Sequence, residues 1–275
     1  MNGSLRAGID YGRFAERLAA QRANQDPAKR WDLYREFHAE WGFEPTREPS
    51  PHPEYFLALI GQPATDDPED DPGIPEALAE WWVLPENSWL YGEFDDSSAH
   101  WPPMWCPGGG YGQPLAPGSP LAVPGSDDLR TVAFMAEAQY CNEWGYLSAE
   151  STVADPKVLV TMGKEWEAVA PTVSEFALLL AAVRVPAALG WQAYPADGED
   201  EVAARIRGEW PGLGLPAWRE IGSELWLYGG PDAIVVLDEG SGDYPFRLCT
   251  RTQEAAEAAI GRLGGADWSL FEPEQ

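Results

Sequence analysis

The side chains able to do chemistry in this chain are scattered, and none stands in a spacing that a reaction requires. Its three histidines, His38, His52 and His100, all precede residue 101. Cys141, followed by Asn142 and Glu143, has no His or Lys beside it to lower its pKa and reads as a buried turn thiol. His100 and Cys106 lack the second pair of ligands that zinc needs. The run Cys106-Pro-Gly-Gly-Gly-Tyr-Gly-Gln-Pro114 has the glycines of a phosphate loop, but no Lys-Ser/Thr follows and its neighbourhood is acidic. Asp66-Asp-Pro-Glu-Asp-Asp71 lacks the alternation, central Gly and final Glu of a calcium loop and reads as a solvated acidic loop. No Gly-x-Ser-x-Gly elbow or His-Glu-x-x-His helix occurs. With 45 Asp and Glu, a chance carboxylate pair at glycosidase spacing is almost guaranteed, so abundance carries no information. No catalytic residue, metal site or cofactor is expected, and binding becomes the default.

Charge says what kind of binding. The net charge is −27, unevenly spread. Residues 1–60 carry eight basic and nine acidic side chains; residues 61–129 carry thirteen acidic and no Lys or Arg; from Arg130 there are ten basic and twenty-three acidic. Such a field repels nucleic acid and anionic membrane and speeds encounter with a basic partner. The basic-free block also holds Trp89, Trp101, Trp105, Tyr91 and Tyr111. Rings of this kind anchor interfaces because they bury large areas with few torsions to freeze, and they pack loops equally well. No apolar run approaches the roughly 20 residues of a membrane span. The N-terminus lacks a secretory apolar region, and an odd, dispersed set of three cysteines argues against a disulfide framework. A cytoplasmic protein is expected.

The elements that must position these residues follow from periodicity. Helices are predicted over Tyr11–Arg22 and Ala28–Trp41, the second with Trp31, Tyr34, Phe37 or His38, and Trp41 on a core stripe and Arg35, Glu36 and Glu40 mostly opposite. Gly42 ends it. A proline-rich connector over 45–53 and a short helix over Glu54–Ile60 follow, and Pro75 opens a helix ending at Trp82. Thr131–Gln139, Glu143–Ser148 and Lys157–Met162 read as strands, the first half-buried through Val132, Phe134 and Ala136. Thr172-Val-Ser-Glu175 is a capping box opening a helix with Phe176, Leu179, Leu180 and Val183 inward. Residues 185–199 read as a linker-like break. Beyond it come a helix over Glu199–Gly208, strands at Leu225–Tyr228, Ala233–Leu237 and Phe246–Cys249, and a last helix opened by Thr250-Arg-Thr-Gln253.

The middle of the chain resembles the SUKH superfamily of Smi/Knr-like proteins. The resemblance rests on Ile74-Pro75-Glu-Ala-Leu78-Ala-Glu-Trp81-Trp82, then Phe134, Glu137 and Gln139, Trp144-Gly145, Asp155-Pro156-x-Val158, Trp166 and Ser174-Glu175-Phe176, in that order. It covers roughly residues 73–184. The chain departs from the family pattern at Val83–Asp128, a long insertion replacing the usual turn after the Trp81-Trp82 helix.

The expected fold class is α+β: an antiparallel meander packed against helices, with N-terminal helices and a smaller C-terminal α+β subdomain. The expected segments are 1–60, helical; 61–189, the SUKH-like domain; and 190–275, the subdomain. The resemblance implies a non-catalytic immunity protein that blocks a basic, nuclease-type toxin domain by steric and electrostatic occlusion. Asp66, Asp67, Asp70 and Asp71 would then steer association, while Trp89, Trp101, Trp105 and Tyr111 fill pockets on the partner and Asp95 and Asp96 also belong to the expected contact surface; Trp144 and Trp166 read as core. An intracellular scaffold of the same superfamily, or a small-ligand binder or enzyme with no recognisable motif, are the alternatives.

Overall fold

The computed structural model describes residues 8–24, 26–45, 73–87, 113–136, 141–196, 199–220, 222–239, 246–264 and 267–273. The class is α+β, with helices and, among the described residues, two antiparallel sheets. The chain divides into two compact units, Pro45–Ala177 and Met1–Glu44 with Leu178–Gln275. The N-terminal helices thus group with the C-terminal part. No helix among the described residues is long and apolar enough to cross a membrane.

The meander unit is a four-stranded sheet in sequential order: β1 (Thr131–Ala136), β2 (Glu143–Leu147), β3 (Val158–Met162) and β4 (Glu165–Ala170). The fourth strand was not expected. Glu165-Trp-Glu-Ala is short and half charged, yet the two-residue turn Gly163-Lys164, with Gly163 at φ +70°, folds it back on β3. The expected end of β1, over 137–139, lies outside the described residues, and the six described residues are all buried rather than on one face only. On one side its Phe134 meets Trp81 of the helix Glu76–Trp82; on the other, residues 113–130 lie across the sheet around Leu115, Leu147, Leu159 and Trp166.

The second unit is built on a six-stranded sheet, ordered β10-β5-β9-β8-β7-β6: β5 (Trp191–Pro195), β6 (Trp218–Glu220), β7 (Ser223–Gly230), β8 (Ala233–Asp238), β9 (Phe246–Thr250) and β10 (Trp268–Phe271). Alternation sends Ala193, Val235, Leu237, Phe246 and Leu248 to one face, against Val202 and Ile206 of one helix (Glu199–Glu209) and Ala259 and Leu263 of another (Gln253–Leu263). The opposite face buries Leu227, Ile234, Val236 and Cys249. Among the described residues the α-helices, in chain order, are α1 (Phe14–Ala23), α2 (Asp32–Glu40), α3 (Glu76–Trp82), α4 (Val173–Leu189), α5 (Glu199–Glu209) and α6 (Gln253–Leu263).

Several expectations need correcting. The break expected over 185–199 is instead the end of α4, which runs through Pro186 to Leu189, followed by β5. Pairing of β5 with both β9 and β10 overrides the local breaker. Gly190 makes the junction possible, since a Cβ there would stand 2.7 Å from the Trp41 ring and 2.8 Å from the Thr250 carbonyl oxygen. The cap of α6 is Thr252, whose hydroxyl accepts from the Ala255 N–H, and not Thr250, which remains in β9. Cys141 is exposed, because the turn it occupies ends before β2 enters the core. The core stripe of α2 is as expected, with Trp31, Tyr34, Phe37, His38 and Trp41 all buried. Glu40 is buried too, because Arg17 of α1 reaches it at 2.7 Å.

A polar joint ties this unit together. Asp232, in the β7–β8 turn, is the one non-glycine among the described residues with positive φ, at +50°. Its N–H donates to the Ile9 carbonyl and its carbonyl accepts from the Arg251 N–H. Its carboxylate accepts from the Ile9 N–H at 2.9 Å and from Arg251 Nη1 at 2.6 Å. Arg251, buried after β9, also donates from Nε to the Glu40 carbonyl at 2.7 Å. Burial raises the Glu40 carboxyl, partly offset by Arg17, and burial together with the Glu40 charge pushes the Tyr11 phenol up.

Two outcomes follow from this packing. Arg251→Met leaves the half-buried Asp232 carboxylate with only the Ile9 N–H and takes a donor from the Glu40 carbonyl, and should lower unfolding free energy by about 2–3 kcal/mol in urea titrations. Asp232→Asn, which tolerates positive φ, should lose less. His38, buried with Nδ1 2.8 Å from the Tyr34 carbonyl, is held at a pKa of about 4 by burial, against an ordinary 6.5. The unfolded chain therefore takes up the proton first. The His38 contribution is whole above pH 6.5 and fades as pH falls towards 4, by about 3 kcal/mol. Unfolding titrations at pH 7 and pH 4.5 should show this loss in the wild type and a smaller one in His38→Leu; equal losses would count against the assignment.

Candidate functional site

Every residue singled out in the sequence for partner contact, Asp66, Asp67, Asp70, Asp71, Trp89, Asp95, Asp96, Trp101, Trp105 and Tyr111, lies outside the described residues, as do His52, His100, Cys106 and the helix expected over Glu54–Ile60. The described surface that adjoins this block is on the meander unit, and it can be built from its own residues.

Its scaffold is the cluster of rings behind the sheet. Trp81 of α3 meets Phe134 of β1 and Phe176 of α4 edge-on, with centroids 6.3 and 5.9 Å apart. Phe176 also contacts Phe134 at 5.6 Å and Trp144 of β2 at 6.4 Å. Edge-to-face contacts add to the area these rings bury. Asp155 then fixes α4 to the β2–β3 connection: its carboxylate accepts from the Ser174 N–H at 3.0 Å and the Ser174 hydroxyl at 2.6 Å. The Thr172 hydroxyl accepts from the Glu175 N–H at 3.1 Å, as a capping box requires. Two of the four orphan N–H groups at this helix start are thereby satisfied.

On the other side of the sheet, residues 113–130 form a hydrogen-bonded cover. The Gln113 carbonyl accepts from Trp166 Nε1 at 2.6 Å and from the Thr131 hydroxyl at 2.7 Å, and the Leu115 N–H donates to the Leu129 carbonyl. Lys157 reaches over to the Leu121 carbonyl at 2.9 Å and pairs with Glu150 at 3.4 Å. Arg130 grips both oxygens of Asp128 at 2.9 Å, and these hydrogen bonds hold that carboxyl down at about 2. The cover reaches β4 at Trp166 and leaves Ala168 exposed. A groove of about 450 Å³ remains there, lined by Pro114, Leu115, Pro120 and Leu121 of the cover and by Lys164, Glu165, Trp166, Glu167 and Ala168.

What this arrangement can do is hold another molecule against apolar surface in an acidic surround. Among the described residues of the unit, eleven are Asp or Glu and three are Lys or Arg. No group of three or more His, Cys, Asp or Glu among the described residues is placed to hold a metal ion. Trp144 and Trp166 are buried, as expected. The groove was missed in the sequence because β4 was missed; the signal was there in Gly163-Lys164 followed by a charged–apolar alternation. Compared with family models, curated proteins and solved structures, the chain matches none.

Asp155→Ala removes both hydrogen bonds to Ser174 and should destabilise the protein by about 1–2 kcal/mol, with Ser174→Ala costing less. Urea unfolding followed by tryptophan fluorescence measures both; an Asp155→Ala variant as stable as the wild type would mean that the cap contributes nothing.

Proposed function

We propose that this is a non-catalytic protein-binding protein of the SUKH type, an immunity protein that occludes a basic toxin domain. The observation that carries this reading is the convergence of the resemblance on one unit. Trp81, Phe134, Trp144 and Phe176, distant in sequence, share one ring cluster, and Asp155 caps the helix that carries Ser174 and Phe176. Charge supports the choice of partner. Thirteen acidic residues and no Lys or Arg between 61 and 129 suit a surface that fills a phosphate-binding cleft. Inhibition of this kind needs occlusion and no turnover.

Tagged protein should be recovered from its native host at low and at high salt, with partners identified by mass spectrometry. The expected result is one basic protein with a nuclease-like C-terminus, present at low salt and reduced at least tenfold at high salt. Recovery of signalling or housekeeping proteins instead would reject the immunity reading and leave a scaffold.

A further inference from the structure

The groove described above runs beside a strand with an open side. β4 pairs only with β3 among the described residues. The turn Gly163-Lys164 is closed by the pair Met162–Glu165, and antiparallel pairs alternate between exchanging hydrogen bonds and not. Met162–Glu165 and Val160–Glu167 exchange them, so Trp166 and Ala168 turn their backbone N–H and C=O outward. Ala168 is exposed although its neighbours Trp166 and Val169 are buried. Among the described residues nothing pairs with this short row of donors and acceptors, which lies next to an apolar trough.

We propose that this edge and the groove beside it receive an extended basic segment of a partner protein by strand addition. Backbone hydrogen bonds from Trp166 and Ala168 would hold the segment, and one side of it would lie in the trough over Leu115 and Trp166. Charge complementarity selects a basic occupant. Of the three basic residues described in this unit, Arg130 is committed to Asp128 and Lys157 to Glu150; Lys164, in the turn, lines the groove together with Glu165 and Glu167, which leaves the groove with an excess of carboxylates. An acidic or neutral strand meets this excess of carboxylates with repulsion or with nothing. The proposal rests on the protein-binding function above and names its surface.

The test uses the full chain and two fluorescent octapeptides, one alternating Lys with Val or Ile and one alternating Glu with the same residues. Fluorescence polarisation should show salt-sensitive binding of the basic peptide only. Ala168→Pro removes an outward donor at an edge position that tolerates proline, and should weaken binding at least tenfold. Ala116→Lys, on the cover rather than the strand, should do so even if the first variant folds poorly. Equal binding of both peptides, no binding, or binding unchanged in both variants overturns the proposal; so does self-association of the wild type that Ala168→Pro abolishes, since a second copy would then be the occupant. Repeating the host pull-down with Ala168→Pro separates the two levels. A partner retained by this variant overturns the groove and leaves the binding function standing, whereas no partner for the wild type removes that function whatever the peptides do.

Discussion

The six-stranded unit depends on one strained turn residue and the guanidinium that holds it. An aspartate at φ +50° is a conformation that only a surrounding set of hydrogen bonds keeps populated. Here the set comes from three distant stretches: Ile9, the end of β9 at Arg251, and through Arg251 the end of α2 at Glu40. The N-terminal residues thereby join a sheet made from the last third of the chain. Arg251 cannot be replaced by packing alone, because both its partners are polar and its own side chain is buried. Removing it leaves the Asp232 carboxylate with the Ile9 N–H and no cation, and the neighbouring Glu40, raised by burial, is already paired with Arg17.

The meander unit solves a different problem. Its sheet is covered on both faces, by rings on one and by a loop on the other, so β1 has no solvent face at all. A loop used as a cover must satisfy its own backbone, and residues 113–130 do this with Trp166, Thr131 and Lys157 as side-chain partners. The cover reaches β4 at Trp166 but leaves Ala168 exposed. The groove is the gap left when an irregular segment is made to do the work of a helix.

How much of this was legible in the sequence depended on the range of the interactions responsible. The α2 stripe and the Thr172 cap were readable because helical spacing and capping act within a few residues. Glu40 was misread as solvent-facing for the converse reason: its burial is set by Arg17, on another helix. Pro186 misled in the same way, since its effect as a breaker is local and the pairing of β5 with β9 and β10 is not. At Cys141 a turn thiol was read as buried, although nothing in the neighbouring residues fixes depth. The resemblance named residues without saying what they do. The structure gives several of them physical tasks: Asp155 caps α4, Trp81 and Phe176 interlock, and Trp166 ties down Gln113.

The acidic excess has to be reconciled with stability. Among its described residues the meander unit sets eleven carboxylates against three cations, and their repulsion destabilises the compact state at low ionic strength. The described ion pairs relieve little of it, since exposed pairs such as Arg130–Asp128 contribute at most about 1 kcal/mol. Asp128, held down at about 2, stays charged at any physiological pH and cannot relieve the repulsion by taking up a proton. The basic partner proposed above would remove what the fold cannot. Added salt should therefore stabilise the free protein while weakening the proposed complex, two effects of one field with opposite signs. Charge that served solubility alone would give the first without the second, because it would have no complex to weaken.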